Sequence, residues 1–204
     1  MDKNIVITIA RQYGSGGRTI AQMLSERLGI HYYDKELLRL ASEDSGINED
    51  LFRNADEKIK NTKLFKIAHS VYHGELIPPE SEDFTSMENL FNYQAKVIRD
   101  LAEKESCVIV GRCADYVLKE RENVVNLFVR ASMSYRLQRA IVNYQVDEKK
   151  AADIIMKNDK RRRNYYNYHV GEKWTDLNNY DLVIRSDMCG IDNAVKCIIT
   201  YIGE

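Results

Sequence analysis

Short runs of apolar residues alternate along the chain with longer stretches in which apolar residues recur every three or four positions. The runs are too short and too uniformly apolar for half-exposed strands, so they predict strands buried on both faces, as in a parallel sheet. They cover residues 5–9, 107–110, 124–129 and 182–184, with a weaker run at 31–33. This alternation of strands and helices predicts a doubly wound α/β fold.

The stretches between the runs carry helix signals. Apolar residues within 20–28 keep helical spacing up to Gly29, which predicts a helix stop there. Thr85 and Glu88 form a capping box ahead of a second amphipathic stretch. Residues 47–84 hold both prolines of the chain and no strand-like run, so they predict a helical, mobile excursion outside the sheet.

Charge and composition limit the partners. The 204 residues include 30 Lys and Arg against 31 Asp and Glu, so the net charge of −1 gives no overall attraction to nucleic acid or to an acidic membrane, and neither partner is expected. Any anion site must be local. The four cysteines lack paired spacing and predict buried thiols rather than zinc ligands or disulfides. Without a long apolar run or a leader-like start, the sequence predicts one cytoplasmic domain over residues 1–204.

A glycine-rich turn follows the first predicted strand and precedes the first predicted helix. Its glycines permit positive φ angles and close approach, so that successive N–H groups point at an anion, with the positive end of the helix dipole behind them. The residues predicted to bind the donor phosphates are Gly14, Ser15, Gly16, Gly17, Arg18 and Thr19. Arg18 and Thr19 stand where a Walker loop has its lysine and its Mg²⁺-binding hydroxyl, whereas Gln12 replaces the first glycine. The alternative is an ordinary tight turn between a strand and a helix.

Polar residues after the second and third predicted strands are candidates for acceptor binding. Asp34 offers a carboxylate to the acceptor, or else it is only the N-cap of the next helix. Arg112 follows the third strand, at the sheet edge where open α/β folds bind ligands, with Asp115 three residues later. The alternative for Arg112 is a surface ion pair.

Cationic residues are concentrated in two later segments. Arg136 and Arg139 share one helical face. Five cationic side chains lie between Lys157 and Arg163, and their mutual repulsion predicts a short open lid over 155–175 in which Arg162 reaches the phosphates; the alternative is a solvated helix face. The aromatic residues that follow, Tyr165, Tyr166, Tyr168 and Trp174, are interpreted first as packing and second as base stacking.

Taken together, these motifs resemble the cytidylate kinase-like family over nearly the whole chain. The matching segments are residues 9–18, Tyr33–Asp34, residues 108–112, Ala131–Ser132 with Arg136 and Arg139, Asp159 with Arg162, and residues 180–186. The resemblance implies a P-loop NTPase fold with a five-stranded parallel sheet, helices on both faces, an acceptor-side excursion over 47–84 and a lid. It implies catalytic roles for Arg18, Arg136, Arg139 and Arg162, acceptor contacts from Asp34, Arg39, Arg112 and Asp115, and ATP with Mg²⁺ at Thr19.

The function predicted on this basis is ATP-dependent phosphoryl transfer to a small acceptor such as the nucleoside monophosphate CMP. A second hypothesis is a non-catalytic nucleotide-binding or partner-binding module, because the Walker lysine is missing and residues 75–88 offer an acidic docking surface. A third hypothesis is a kinase for a non-nucleotide molecule, which would share the donor site. A homodimer is left open.

Overall fold

The computed structural model describes residues 4–58 and 75–203. Within these ranges the predicted apolar runs form one parallel sheet, with strand order β2-β3-β1-β4-β5. The strands are β1 (Val6–Arg11), β2 (His31–Tyr33), β3 (Cys107–Val110), β4 (Val124–Arg130) and β5 (Leu182–Arg185). The predicted five-stranded parallel sheet is confirmed.

Helices connect the strands. They are α1 (Gly17–Leu28), α2 (Glu36–Ser45), α3 (Glu49–Lys58), α4 (Met87–Lys104), α5 (Ala114–Val117), α6 (Met133–Tyr144), α7 (Glu148–Val170), α8 (Ser186–Cys189) and α9 (Ile191–Ile202). The stop after α1 is confirmed, because Gly29 has φ 64° and donates its N–H to the carbonyl of Ser25. The capping box is wrong by one residue: Ser86 is the N-cap of α4, and its hydroxyl accepts from the N–H of Asn89.

Both faces of the sheet are covered. Val6 and Ala10 of β1 belong to a core cluster that includes residues of α2, α3 and α4, whereas Ile7 and Ile9 belong to a second cluster that includes residues of α1 and α9. This alternation follows from the two-residue period of a strand. It explains why the strand sequences read as continuous apolar runs.

The predicted excursion over 47–84 lies partly outside the described residues. Its described part contains α3, whose Phe52 is fully buried, and a short 3₁₀ turn at Glu82–Thr85. No strand occurs in residues 47–58 or 75–84. The mobility of the excursion stays a prediction.

Two remaining sequence predictions concern membranes and thiols. Throughout residues 4–58 and 75–203, no helix is both long enough and apolar enough to cross a membrane. All four cysteines are free thiols, as predicted, but only Cys107 and Cys113 are buried, and Cys197 is exposed. The prediction of burial is wrong for Cys197, which lies on the outer face of the last amphipathic helix, and for Cys189, which is only partly buried.

Candidate active site

The glycine-rich turn leaves the carboxyl end of β1 and leads directly into α1. Gly14 and Gly16 have φ of 78° and 83°, a conformation that other residues adopt only at a cost. A Cβ atom at Gly14 would lie 2.8 Å from the carbonyl oxygen of Arg136, so this glycine also permits close contact between the loop and α6. The two glycines are therefore required by the shape of the loop.

The N–H groups of this loop are open to a ligand. In the part of the chain that the structure describes, no backbone carbonyl accepts from the N–H groups of residues 14, 16, 17, 18 or 19, whereas that of Ser15 donates to Gln12. The first turn of α1 adds the positive end of its dipole. The loop thus has the donors that an anion site needs. Anion binding itself stays a prediction.

Neighbouring elements hold the loop in this shape. Gln12 donates its N–H to the carbonyl of Val129, and its side-chain oxygen accepts from the N–H of Ala131 at 3.1 Å. The hydroxyl of Ser186 donates to the carbonyl of Ser15 at 2.6 Å. Gln12, which departs from the Walker pattern, is thus an anchor that ties the loop to the end of β4.

Two adjoining cavities open at this edge of the sheet. The donor-side cavity, of about 110 Å³, is lined by the glycine loop together with Tyr13 and Tyr144. The acceptor-side cavity, of about 180 Å³, lies next to the end of β3. Its lining includes Asp34, Lys35, Gly111, Arg112, Asp115, Arg161, Tyr165, Tyr166 and Trp174. Arg11, Arg18 and Arg162 line both cavities.

Asp34 faces the acceptor-side cavity instead of capping α2. The N-cap of α2 is Lys35, which makes no side-chain cap, so the N-cap interpretation of Asp34 is wrong. Its carboxylate accepts from Arg18 Nη2 at 2.6 Å and from the hydroxyl of Tyr32 at 3.2 Å. Arg11 Nη2 lies 3.6 Å away, beyond hydrogen-bond distance. The Asp34 carboxylate is therefore the counter-charge of both Arg18 and Arg11.

The segment after β3 has a strained backbone. Gly111, Arg112 and Cys113 have φ of 76°, 60° and 55° in succession. Left-handed conformations at non-glycine residues cost about 1–3 kcal/mol each and occur at sites where position matters. The turn brings Arg112 to the acceptor-side cavity, where its guanidinium lies 5.8 Å from the ring centre of Tyr165.

Asp115 is a buried carboxylate that lines the same cavity. It accepts a hydrogen bond of 2.7 Å from the hydroxyl of Tyr166. Loss of water around the carboxyl group raises its pKa from 3.8 to about 6, although the bond from Tyr166 acts in the opposite direction. At neutral pH most of this carboxyl group is ionised, so it can accept hydrogen bonds from a molecule bound in the cavity.

The structure does not bring Arg136 to either cavity. Its guanidinium donates to Asp159 at 2.5 Å, and both side chains are buried. The other carboxylate oxygen of Asp159 accepts from the N–H of Tyr13 at 2.7 Å. This ion pair fastens α6 and α7 to the loop. A direct catalytic role for Arg136 stays a prediction.

Arg139 and Thr19 lie together beside the loop. Arg139 Nη2 donates to the Thr19 hydroxyl oxygen at 3.2 Å. The hydroxyl keeps a second lone pair, which a Mg²⁺ ion held mainly by phosphate oxygens and water could use. Within residues 4–58 and 75–203, no group of three or more His, Cys, Asp or Glu side chains could hold a metal ion. Thr19 as a metal ligand stays a prediction.

Arg39 lies outside the site. It is on the exposed face of α2, where it pairs with Glu36 at 2.8 Å and Glu43 at 2.5 Å, and it lines neither cavity. Helical spacing puts positions 36, 39 and 43 on one surface. An acceptor contact from Arg39 stays a prediction.

The predicted lid is part of α7, a continuous helix of 23 residues. The expectation of a short, open segment is wrong, because Arg162 Nη1 donates to the carbonyl of Arg11 at 2.7 Å and holds the helix against the end of β1. Burial is also the main reason why the pKa of Arg162 is lowered. Arg162 does reach both cavities, as predicted, and movement of α7 stays a prediction.

The aromatic residues after the cationic run serve in packing. Tyr165, Tyr166 and Trp174 are buried in the core, and all three also line the acceptor-side cavity. Tyr168 is partly buried and donates its hydroxyl to Glu88 at 2.6 Å. The packing role is confirmed. Stacking on a base stays a prediction for Tyr165, Tyr166 and Trp174, which line the cavity.

Sequence reasoning missed Arg11 altogether, as well as the pairing of Tyr13 with Tyr144. The two tyrosine rings meet edge to face at 5.5 Å and flank the donor-side cavity. Arg11 is the last residue of β1 and lies one position before Gln12, where the Walker pattern begins. The available signal was a charged residue at the end of an otherwise buried strand.

Comparisons with known proteins agree with this fold. The chain is 27% identical over 186 residues to the cytidylate kinase of Methanosarcina barkeri, which covers 89% of this chain and 87% of that protein. It is 25% identical to the cytidylate kinase of Methanopyrus kandleri, covering 96% and 91%. A match to the cytidylate kinase of Saccharolobus islandicus is 23% identical and spans 53% of this chain but only 57% of that protein.

Two solved structures are similar along almost the whole chain. An uncharacterized protein from Eubacterium ventriosum has a TM-score of 0.71 and 31% identity, with 98% of each chain covered. The shikimate kinase of Bacteroides thetaiotaomicron has a TM-score of 0.55 at 10% identity, with 98% and 99% covered, and this likeness concerns the fold alone. The sequence profile of the Cytidylate kinase-like family matches residues 6–188. The chain belongs to the cytidylate kinase-like family.

Proposed function

We propose that the protein transfers a phosphoryl group from ATP to a small anionic acceptor, of which a nucleoside monophosphate such as CMP is the first candidate. The observation that carries the proposal is the loop whose N–H groups are open to a ligand, facing cavities lined by Arg11, Arg18, Arg112 and Arg162. Phosphoryl transfer requires mainly positioning and positive charge from a protein. This site offers both.

The two cavities divide the substrates. The N–H groups of the loop and Arg18 would bind the donor phosphates, and Arg162 would contact the group that passes between the cavities. The Thr19 hydroxyl would help to hold a Mg²⁺ ion that enters with ATP, and the ion would neutralise part of the charge on the phosphates. The open N–H groups of the loop and the three arginines shared by the cavities support a polyphosphate as the donor-side ligand.

The lining of the acceptor-side cavity favours a phosphorylated acceptor over a neutral one. Lys35, Arg112 and Arg161 supply positive charge to it, and Asp34 and Asp115 supply carboxylates that can accept from hydroxyl or amino groups. Tyr165 and Trp174 add aromatic surface. Cations, hydrogen-bond acceptors and aromatic rings are what a phosphate, a sugar and a base require, and the matched cytidylate kinases support the same choice.

The test is turnover of ATP with a panel of acceptors. ADP formation is followed with CMP, UMP, AMP and GMP, with cytidine as the control that lacks a phosphate, and with shikimate as a non-nucleotide acid. We expect CMP to be used and cytidine not. Turnover with shikimate alone would support the non-nucleotide hypothesis, and ATP binding without turnover of any acceptor would support the non-catalytic module.

A further inference from the structure

Arg11 occupies a space that two glycines leave free. A Cβ atom at Gly17 would lie 2.6 Å from Cβ and 3.0 Å from Cγ of Arg11, which is too close for real atoms. A Cβ atom at Gly111 would overlap Nη1 of the same side chain. The first residue of α1 and the residue after β3 therefore both lack a side chain where the stem and the head of Arg11 lie.

The surroundings of Arg11 carry an excess of positive charge. Its buried position is the main cause that lowers its pKa from 12.5 to about 9, and Arg162, Arg18 and Arg112 lower it further. Asp34 opposes this effect, but it lies 3.6 Å away and is already bonded to Arg18. A buried cation with so little neutralisation is costly unless an anion binds beside it.

The position of Arg11 distinguishes it from Arg18. Both line the two cavities, yet the Arg18 side chain is 45% exposed and turned toward Asp34, whereas the Arg11 side chain is 15% exposed and enclosed between the loop and the end of β3. Electrostatic stabilisation is strongest where water is excluded. The enclosed cation is therefore the better placed of the two for a developing charge.

We propose that Arg11 contacts the phosphoryl group during transfer and supplies the buried charge that the Walker pattern would assign to Arg18, with Gly17 and Gly111 making room for it. This inference rests on the proposed phosphoryl transfer. In this arrangement Arg18 binds the donor and holds Asp34. The loop keeps a cation at its centre although it has no lysine.

The first experiment compares Arg11→Ala with Arg18→Ala, using Arg27→Ala as the matched control because Arg27, near the end of α1, makes a surface pair with Asp192 and lines neither cavity. The turnover number with ATP and CMP is measured for each. We expect a fall of at least ~10²-fold for Arg11→Ala, a smaller fall for Arg18→Ala, and no change for Arg27→Ala. Arg11→Ala within threefold of the wild type, or a larger loss in Arg18→Ala, would overturn the assignment.

Binding of inorganic tripolyphosphate, measured by calorimetry, separates this proposal from the proposed function. We expect Arg11→Ala to bind it at least tenfold more weakly than the wild type. If the wild type binds tripolyphosphate but turns over no acceptor, the proposed function fails while weaker binding by Arg11→Ala still supports Arg11. Equal binding by the two proteins overturns the role of Arg11 whatever the turnover, and so does a wild type that binds no tripolyphosphate.

Gly17→Ala tests the same assignment without removing a charge, and it serves if Arg11→Ala does not fold. The added methyl group should displace the stem of Arg11 and lower the turnover number at least tenfold in the wild-type background. Where Arg11→Gly folds, adding Gly17→Ala to it should cost much less, because both Cβ and Cγ of Arg11, the atoms nearest to the added methyl group, are then gone. Unchanged turnover in Gly17→Ala alone, or equal losses in both backgrounds, would overturn the fit of Arg11 between the glycines.

Discussion

Removal of the Asp159 carboxylate should destabilise the protein far more than removal of a surface charge. Asp159 bonds to Arg136 and to the N–H of Tyr13, and its side chain and that of Arg136 are 11% and 9% exposed. Among the described residues, Nε of Arg136 has no hydrogen-bond partner. In Asp159→Ala the Arg136 guanidinium would thus stay buried without a counter-charge.

Breaking one partner of a buried ion pair costs about 3–5 kcal/mol in the free energy of unfolding. For a chain of this length, each kcal/mol lowers Tm by about 2–4 °C, so we expect a fall of roughly 6–20 °C. The single tryptophan, Trp174, is buried, and its fluorescence reports the unfolding in urea. Loop anchoring should suffer as well, so that ATP binds more weakly to the folded variant.

Two further variants make the test specific. Arg39→Ala removes an exposed cation from two helical pairs and should change stability by less than about 1 kcal/mol. Replacing both partners, as in Arg136→Met with Asp159→Leu, should restore much of the stability, because no unpaired charge is left. The reasoning is refuted if Asp159→Ala unfolds within about 1 kcal/mol of the wild type, or if the losses from the single variants simply add.

Three other predictions follow from the site and its surroundings. Arg162→Ala should reduce turnover at least ~10²-fold and, because its bond to the Arg11 carbonyl is lost, lower stability by about 1.5–3 kcal/mol in urea titrations. Burial, with Arg112 nearby, lowers the pKa of His169 from 6.5 to about 3, so between pH 7 and pH 5 the imidazole takes up a proton in the unfolded chain but not in the folded one. When the pH is lowered from 7 to 5, the free energy of unfolding of the wild type should therefore fall by about 2 kcal/mol more than that of His169→Phe, as measured by urea unfolding at both pH values. Because the pKa of Asp115 is raised in the folded state, the stability that its protonated form contributes is lost as the pH rises from about 4 to about 6. In thermal melts, the Tm of Asp115→Asn should therefore rise relative to that of the wild type across this range, and the difference should stay constant at higher pH.

The sheet could be predicted because burial on both faces leaves a direct mark on the sequence. Residues 107–110 are apolar throughout, and residues 124–129 are apolar except for Asn126, since alternate side chains enter the two core clusters. The glycine loop could be predicted because Gly14 and Gly16 need positive φ between a strand and a helix. In both cases the requirement acts within a few consecutive residues, so a short stretch of sequence is enough to reveal it.

The site was predicted less completely because its contacts join distant parts of the chain. Arg136 looked catalytic from its place on a helix face, yet Asp159 of α7 binds it. The family resemblance implied an acceptor contact for Arg39, yet in the structure its partners are Glu36 and Glu43, one turn before and one turn after it on α2. Spacing shows which residues share a face, but it does not show what that face contacts.

The missing Walker lysine is physically consistent with the rest of the site. Arg11 lies near Arg162, Arg18 and Arg112, with Asp34 as the neighbouring carboxylate, and burial is the main cause that lowers its pKa from 12.5 to about 9. At position 18, where the Walker pattern has its lysine, burial acts to lower the pKa of Arg18, but the adjacent Asp34 raises it above its ordinary value. Both arginines therefore stay charged. Since the loop keeps its open N–H groups and a permanent cation, the absence of lysine does not argue for a non-catalytic module, and the arginine-rich arrangement favours the kinase.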